Sequence, residues 1–428
     1  MRVFLCLLLF LGAAISVSGK HHVIVISIDG LRPEFYLNEK YPTPYLQYFK
    51  QHGKYSERMR SVFPSYTYPA HVTMMTGALP ARSGVYYNIP LNGSGNWSWF
   101  TSEIKVPTIW QQLKKNGLTS AAIQWPVSVG NDITYNIPEI WDTQHPNDRI
   151  SESRKHSTPG LVKELEQYST GILDGYTMDE EYSDLDKNSA KIAAYVFAKY
   201  RPDFLAVHFA GADGKQHSYG REHEQVNFAL GNIDNAIGVI YETVCRKGLL
   251  DSTTFIVVGD HGFSNIHQVL YPNAWVEGTS AIFYSAGGST FLYPKEDMNR
   301  ISDAEKLKIV LAQLPDSIND CFTLLDRHAL DKLGADSNAI LALCAKPGVV
   351  FSNSKSGIQL KKVTGGHHGY LPYMKEMYTG FLAFGARVKH GHVGEIRIQD
   401  LPSIFSKLLS IPSFGPDCKD ISDLILSP

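Results

Sequence analysis

The chain has 428 residues, with 40 Lys and Arg against 42 Asp and Glu, and a formal net charge of -2. That balance gives no electrostatic ground for a nucleic-acid polymer or an anionic membrane as partner, so any anionic ligand must be met by a local site. The length admits two ordinary domains or one large α/β domain, and the motifs below decide for one.

Met1 and Arg2 precede an apolar run from Val3 to Val17 that ends in small residues, Ser18 and Gly19 among them. This reads as a signal peptide over residues 1–19, since a membrane-spanning helix needs roughly 20 apolar residues. The mature chain is therefore expected to be secreted or periplasmic, with no membrane span. Cys245, Cys321, Cys344 and Cys418 are even in number and not zinc-like in spacing. A Cys321–Cys344 bridge is the preferred pairing because both fall in one segment, with buried free thiols as the alternative.

Val23 to Ile28 is a continuous β-branched run that stops at Asp29-Gly30, the pattern of a fully buried parallel strand feeding a loop. Phe204–Phe209, Phe255–Val258 and Phe381–Phe384 are comparable, and helical patterns over Ser189–Tyr200 and Glu224–Cys245 have the length of crossovers. The expected fold is α/β: a doubly wound, mostly parallel central sheet with helices on both faces. A turn-rich stretch at about 266–361, with Ala286-Gly-Gly-Ser289 and a helical pattern over Asp303–Leu314, reads as a small inserted subdomain within one domain spanning 20–425. No internal repeat or low-complexity linker argues for independent domains.

The first three runs end at or just before Asp29, Asp213 and Asp260, and ligands of open α/β sheets bind outside the carboxyl ends of the strands. Five segments carry the chemistry: Asp29-Gly30, Thr67-Tyr-Pro-Ala-His71, Asp213-Gly-Lys-Gln-His217, Asp260-His261-Gly262 and Gly366-His-His-Gly-Tyr370. Any one of them is an ordinary turn or strand end. Together they offer the carboxylates and imidazoles that two divalent metal ions, zinc above all, accept as ligands, and such a pair can clamp the oxygens of an in-line displacement at phosphorus.

In this order, with Thr76-Gly77 and Ser83-Gly84 following the threonine segment, the motifs resemble those of the nucleotide pyrophosphatase/phosphodiesterase (type I phosphodiesterase) family of the alkaline-phosphatase-like superfamily. The resemblance covers nearly the whole mature chain. It implies a hydrolase for a small phosphodiester or nucleotide-like substrate, with Thr67 as nucleophile. One metal would take Asp213, His217 and His368; the other would take Asp29, Asp260 and His261 with the Thr67 oxygen. His367 is the ambiguous neighbour, and His71 is assigned a structural place. Many relatives have Asn at the position of Ala70, which carries no required role. The resemblance further implies that Asn88, in Gly84-Val-Tyr-Tyr-Asn88, donates to a phosphoryl oxygen, although before Ile89-Pro90 it also fits a plain turn. Tyr68 stands where the family contacts the esterified or leaving group. Trp97, Trp99, Phe100 and Trp125 add aromatic surface that is either substrate wall or core. Asn92-Gly-Ser94 and Asn96-Trp-Ser98 fit the glycosylation pattern, which matters in a eukaryotic host.

A phosphomonoesterase on the same scaffold would profit from an added cation, and Ala121-Ala-Ile-Gln-Trp-Pro126, the stretch where one branch carries it, has no Lys or Arg. Gln124-Trp125-Pro126 are read instead as groups packing against an esterifying substituent. A phosphonate hydrolase shares the metals; a sulfatase lacks its nucleophile segment here. An inactive secreted binding domain would be expected to lose at least one ligand, and all six Asp and His ligands are present. The oligomeric state is left open.

Overall fold

A computed structural model describes residues 20–427 apart from 92–94, 131, 182–183, 296–307 and 356–359. The expected signal peptide and the Asn92-Gly-Ser94 pattern therefore lie outside the described residues. So do residues 303–307 of the expected helix, which is seen over 308–312.

In chain order the strands begin with β1 (His22–Ile28), β2 (Lys54–Arg60), β3 (Ser120–Ile123), β4 (Tyr135–Ile137), β5 (Phe204–Phe209) and β6 (Thr253–Gly259). There follow β7 (Ser264–Leu270), β8 (Ala281–Ala286), β9 (Ser289–Pro294), β10 (Phe322–Leu325), β11 (Leu341–Ala345) and β12 (Gly348–Phe351). The last are β13 (Leu360–Lys362), β14 (Gly366–His367), β15 (Thr379–Gly385), β16 (Gly391–Val393) and β17 (Ile396–Arg397). Among the described residues the central sheet has nine strands in the order β16-β2-β15-β6-β1-β5-β3-β4, with β17 also on β2. The run β6-β1-β5-β3-β4 is parallel throughout.

The apolar runs are continuous because both faces of the sheet are covered. Ile24, Ile26 and Ile28 of β1 pack with Leu205, Val207, Phe255 and Val257 on one face, beneath helices Asp184–Tyr200 and Glu224–Arg246. Val23, Val25, Phe204, Ala206, Ile256 and Val258 take the other face, against helices Thr67–Thr76 and Leu401–Leu409. Each such side chain, fully buried, contributes roughly 1.5–3 kcal/mol of hydrophobic stabilisation. This is the doubly wound, mostly parallel sheet expected. One strand differs: β15, which holds the Phe381–Phe384 run, is antiparallel to both β6 and β2. A strand buried on both faces has the same composition in either direction, so its sequence does not reveal its sense.

Two small sheets sit beside the carboxyl end of β6. One is antiparallel, β10-β11-β9-β8; the other is β12-β7-β13, with β14 also paired to β7. The Gly287-Gly288 turn joins β8 to β9. The four cysteines are free, which corrects the preferred Cys321–Cys344 bridge: Cys321 packs beside one apolar cluster and Cys344 belongs to another.

Candidate metal centre and its cleft

The helix Thr67–Thr76 starts at Thr67, two residues before Pro69, so the threonine occupies its first turn. Pro69 has no N–H to lose there. Thr67 is 7% exposed, and its Oγ1 lies 3.4 Å from His261 Nε2. Helix N–H groups and dipole favour negative charge at this end.

Around that hydroxyl the ends of three parallel strands deliver the acids. Asp29 follows β1, Asp213 stands in the first turn of helix Gly211–Tyr219 after β5, and Asp260-His261 follow β6. His261 Nε2 is 3.3 Å from Asp29 Oδ1 and 3.1 Å from Asp260 Oδ2. Asp213 Oδ2 is 3.4 Å from His217 Nε2, one helical turn on, and its Oδ1 is 3.8 Å from His368 Nε2. The His261 and His368 rings stack at 3.6 Å, joining the two groups. Asp29, Asp260 and His261 form one set able to hold a metal ion, Asp213, His261 and His368 a second, and His217, His367 and His368 a third.

Hydrogen bonds decide which imidazole nitrogens face inward. Nδ1 of His217, His261 and His368 lies 3.0, 3.2 and 2.8 Å from the carbonyl oxygens of Gly366, Gly262 and Ser65. A carbonyl only accepts, so each Nδ1 carries the proton and each Nε2 offers a lone pair. His367 differs: its Nδ1 faces both the His368 backbone N–H at 2.9 Å and the His368 carbonyl oxygen at 3.2 Å, so no single partner sets its proton. Proximity admits His367 to a metal set with His217 and His368. His71 donates through Nδ1 to Thr67 O and accepts from Ser27 Oγ, both at 2.8 Å, and so is fully engaged.

Asp29 Oδ1, Asp213 Oδ1 and Asp260 Oδ2 are buried without a hydrogen-bond partner. Burial, then the Asp260 and Asp213 carboxylates, hold the Asp29 carboxyl well above its ordinary range. Burial likewise raises Asp213 and Asp260. It pulls His261 down to about 4 and holds His368 far below its usual value, with neighbouring imidazoles adding to the effect. Neutral imidazoles beside mutually repelling carboxylates are what one or two divalent cations stabilise, so the donor set fits metal.

Two glycines let the accessory hairpin close on this centre. A Cβ on Gly287 (φ +63°) would stand 2.4 Å from His367 Nδ1, and one on Gly369 (φ +88°) 2.0 Å from Ala286 O.

A cleft of about 360 Å³ opens over the cluster; Asp29, Thr67, Asn88, Asp213, His217 and His368 line it, together with Trp97, Glu139, Trp141, Arg149 and Glu180. Asn88 Oδ1 accepts the Tyr68 N–H at 2.9 Å, which fixes the amide orientation and leaves Nδ2 as a donor. Tyr68 itself is fully buried, its ring 5.2 Å from Trp97, so that Trp97 stands on the cleft wall in front of it. Trp125 is 1% exposed and packs on His71, and buried Gln124 bonds to Pro138 O and Ser153 Oγ. Neither is among the cleft-lining residues, which corrects their reading as substituent-packing groups. The sequence reading missed Arg149 and Glu139, which lie in loops with no motif around them. It also missed Asp186, whose carboxylate accepts from Ala210 and Gly211 N–H at 2.9 and 3.1 Å and so anchors the start of the Asp213 helix.

Fold and site together define an α/β protein able to hold one or two metal ions beside a threonine hydroxyl. The family model for type I phosphodiesterase / nucleotide pyrophosphatase matches residues 23–371, and the chain belongs to that family. Ectonucleotide pyrophosphatase/phosphodiesterase family member 3 of Mus musculus is 27% identical over 254 residues, 56% of this chain and 24% of its own length. Family member 7 of Rattus norvegicus is 22% identical over 308 residues, 67% and 62% of the two chains, and family member 1 of Homo sapiens 23% over 386 residues, 86% and 37%. The chain thus spans less than two thirds of each of these relatives. A solved murine ectonucleotide pyrophosphatase/phosphodiesterase 5, an inactive threonine-to-alanine form in complex with AMP, superposes with a TM-score of 0.71 at 18% identity, over 95% of this chain and 100% of that one. At that identity the likeness is one of fold.

Proposed function

We propose that the chain is an exported two-metal phosphodiesterase or nucleotide pyrophosphatase acting through Thr67. The observation that carries this is the convergence of three unpartnered carboxylate oxygens with the Nε2 atoms of His217, His261 and His368, the His261 Nε2 lying 3.4 Å from the Thr67 hydroxyl. Two zinc ions, held by Asp213, His217 and His368 and by Asp29, Asp260 and His261, would supply Lewis-acid charge at the phosphoryl oxygens and favour the deprotonated hydroxyl. Thr67 Oγ1 attacks phosphorus, the bond to the leaving oxygen breaks, and that oxygen departs with a proton. Water then attacks that phosphorus: its oxygen bonds to phosphorus, the bond from phosphorus to Thr67 Oγ1 breaks, and Oγ1 takes up a proton released by the water. Asn88 Nδ2 would donate to the charge that develops on phosphorus, which the positive end of the helix Thr67–Thr76 dipole also favours; one such donor is worth roughly 2.7–4 kcal/mol.

The catalytic domain would run over 20–425 and include the accessory segment at 266–361. Export is supported by the leader-like residues 1–19 and by the "ecto" in the relatives' names; among the described residues no helix is long and apolar enough to cross a membrane. The diester preference follows from charge. Arg149 is the one guanidinium among the described cleft-lining residues and is already paired with Glu180, so the second charge of a monoester meets no free cation. The test compares kcat/KM of zinc-loaded protein for an aryl nucleotide diester and the matching aryl monoester. The diester is expected to win by ten-fold or more, and Thr67→Ala to abolish turnover with metal content intact. A monoester preference would overturn the phosphodiesterase reading while sparing the metal site.

A further inference from the structure

His208 lines the cleft beside Asp29 and has no task in the chemistry above. It interrupts the apolar run of β5, is 3% exposed and stands in register with Ser27 of β1. Burying a polar ring costs free energy unless its nitrogens find partners, and an apolar side chain would fill the same place at lower cost. Yet His208 Nε2 is buried and makes no hydrogen bond. The group it faces belongs to the metal centre: Asp29 Oδ2 lies 3.3 Å away. The other Asp29 oxygen, Oδ1, is 3.3 Å from His261 Nε2 and unpartnered, so it is the one offered to an ion. On the far nitrogen of the His208 ring, Glu139 Oε2 stands 3.8 Å from Nδ1, and the His71 ring packs edge-on with centroids 4.6 Å apart. His71 in turn holds the Thr67 carbonyl, so the ring is wedged between a metal ligand and the turn that carries the nucleophile.

Burial and the neighbouring His71 ring keep the imidazole neutral, so it has one proton to place. Glu139 and the Gln124 backbone carbonyl compete with Asp29 for it. An Asp29 ionised on a metal is the strongest acceptor of the three, because the carbonyl is uncharged and burial holds the Glu139 carboxyl up to about 7. We propose that His208 is a positioning residue for Asp29: with an ion in place, its Nε2–H donates to Oδ2 and so holds the carboxylate with Oδ1 toward the ion. A small turn of the carboxylate converts the 3.3 Å contact into that hydrogen bond. Ligating carboxylates are held from outside in this way, and losing such a partner typically costs about 10–100-fold in metal affinity. The proposal rests on the two-metal reading and extends it from the ligands to the group that aims one of them.

The test is zinc binding by the full chain, measured in competition with a chromogenic chelator. His208→Phe keeps a ring without a donor and should weaken one of the bound ions ten-fold or more. His208→Gln places an amide N–H where Nε2 stood and should restore that affinity to within a few-fold. A residue that only fills space would give the opposite order, with Phe tolerated and Gln not, and that order would overturn the proposal. Should His208→Phe not fold, His208→Met, matched to Gln in length, takes its place in the comparison. In Asp29→Ala no carboxylate remains to be aimed, so adding His208→Phe should cause no further loss of zinc, whereas full additivity would show that His208 does not act through Asp29. Nitrogen NMR of the zinc-loaded protein should find the His208 proton on Nε2; a proton on Nδ1 would sink the idea directly. If the wild type binds no zinc, the metal reading fails and takes this proposal with it. Zinc bound equally by wild type and His208→Phe defeats the positioning role alone.

Discussion

At the scale of single residues, the adjacent imidazoles His367 and His368 show why proximity is a poor guide to ligation. Both approach His217, but only His368 has its Nδ1 held by a single carbonyl, that of Ser65, which turns a free Nε2 toward Asp213 at 3.8 Å; His367 Nδ1 sits between the N–H and the carbonyl of His368. Only a nitrogen with a free lone pair binds metal. His368→Ala should therefore release one equivalent of metal and lower activity more than about 100-fold, above the 10–100-fold typical of losing a group that merely supports a ligand. His367→Ala should keep both equivalents. Metal content of the two purified variants decides it, and the reverse pattern would show that His367 is the ligand.

Among the elements, β1, β5 and β6 were readable from sequence because a strand covered on both faces is apolar at most positions, and an acid follows each: Asp29, Asp213 and Asp260. The acids after those strands were readable from their position, whereas Thr67, Asn88 and His368 were readable only through the resemblance of their motifs to a known family. The direction of β15 left no mark on its composition, and Arg149, Glu139 and Asp186 find their surroundings through partners far along the chain. Asp186 has the clearest consequence. Burial raises its carboxyl to about 7 despite the two backbone N–H groups it accepts, whereas an Asp in the unfolded chain titrates near about 3.9. The folded state therefore holds the proton more tightly, and the stability this confers is complete below the unfolded value and lost as pH rises through about 7. Asp186→Asn cannot ionise. In urea unfolding the wild type should lose about 2–3 kcal/mol relative to that variant between pH 5 and pH 8, at about 1.36 kcal/mol per pH unit below the folded pKa. A constant gap would mean that Asp186 stays ionised. The same substitution weakens the anchor of helix Gly211–Tyr219, so metal affinity at Asp213 and His217 should fall with it.

The whole molecule joins a central sheet and two accessory sheets, and the candidate metal centre lies at their junction. Asp29, Asp213, His217, Asp260 and His261 come from the ends of central strands or the helix that follows one. His368 comes from the segment after β14, under the β8–β9 turn, where Gly288 N bonds to His368 O at 2.8 Å. Metal held by both groups would pin the accessory hairpin to the central sheet. Without it, three buried carboxylates repel one another, and the strain falls on the side with fewer contacts to the core. Chelation should therefore lower the Tm and speed hydrogen exchange first in β8, β9 and the 366–370 segment, with β1, β5 and β6 exchanging only on global unfolding. At thousandfold excess over its Kd, each bound ion adds about 4 kcal/mol to the folded state. With three imidazole nitrogens in the donor set, zinc should restore both Tm and protection at far lower concentration than magnesium, which favours oxygen ligands. Equal potency of the two ions would assign the site to the carboxylates alone. An unchanged Tm and exchange pattern after exhaustive chelation would show that the acids are neutralised by their own protons, and that metal plays no part in holding the two regions together.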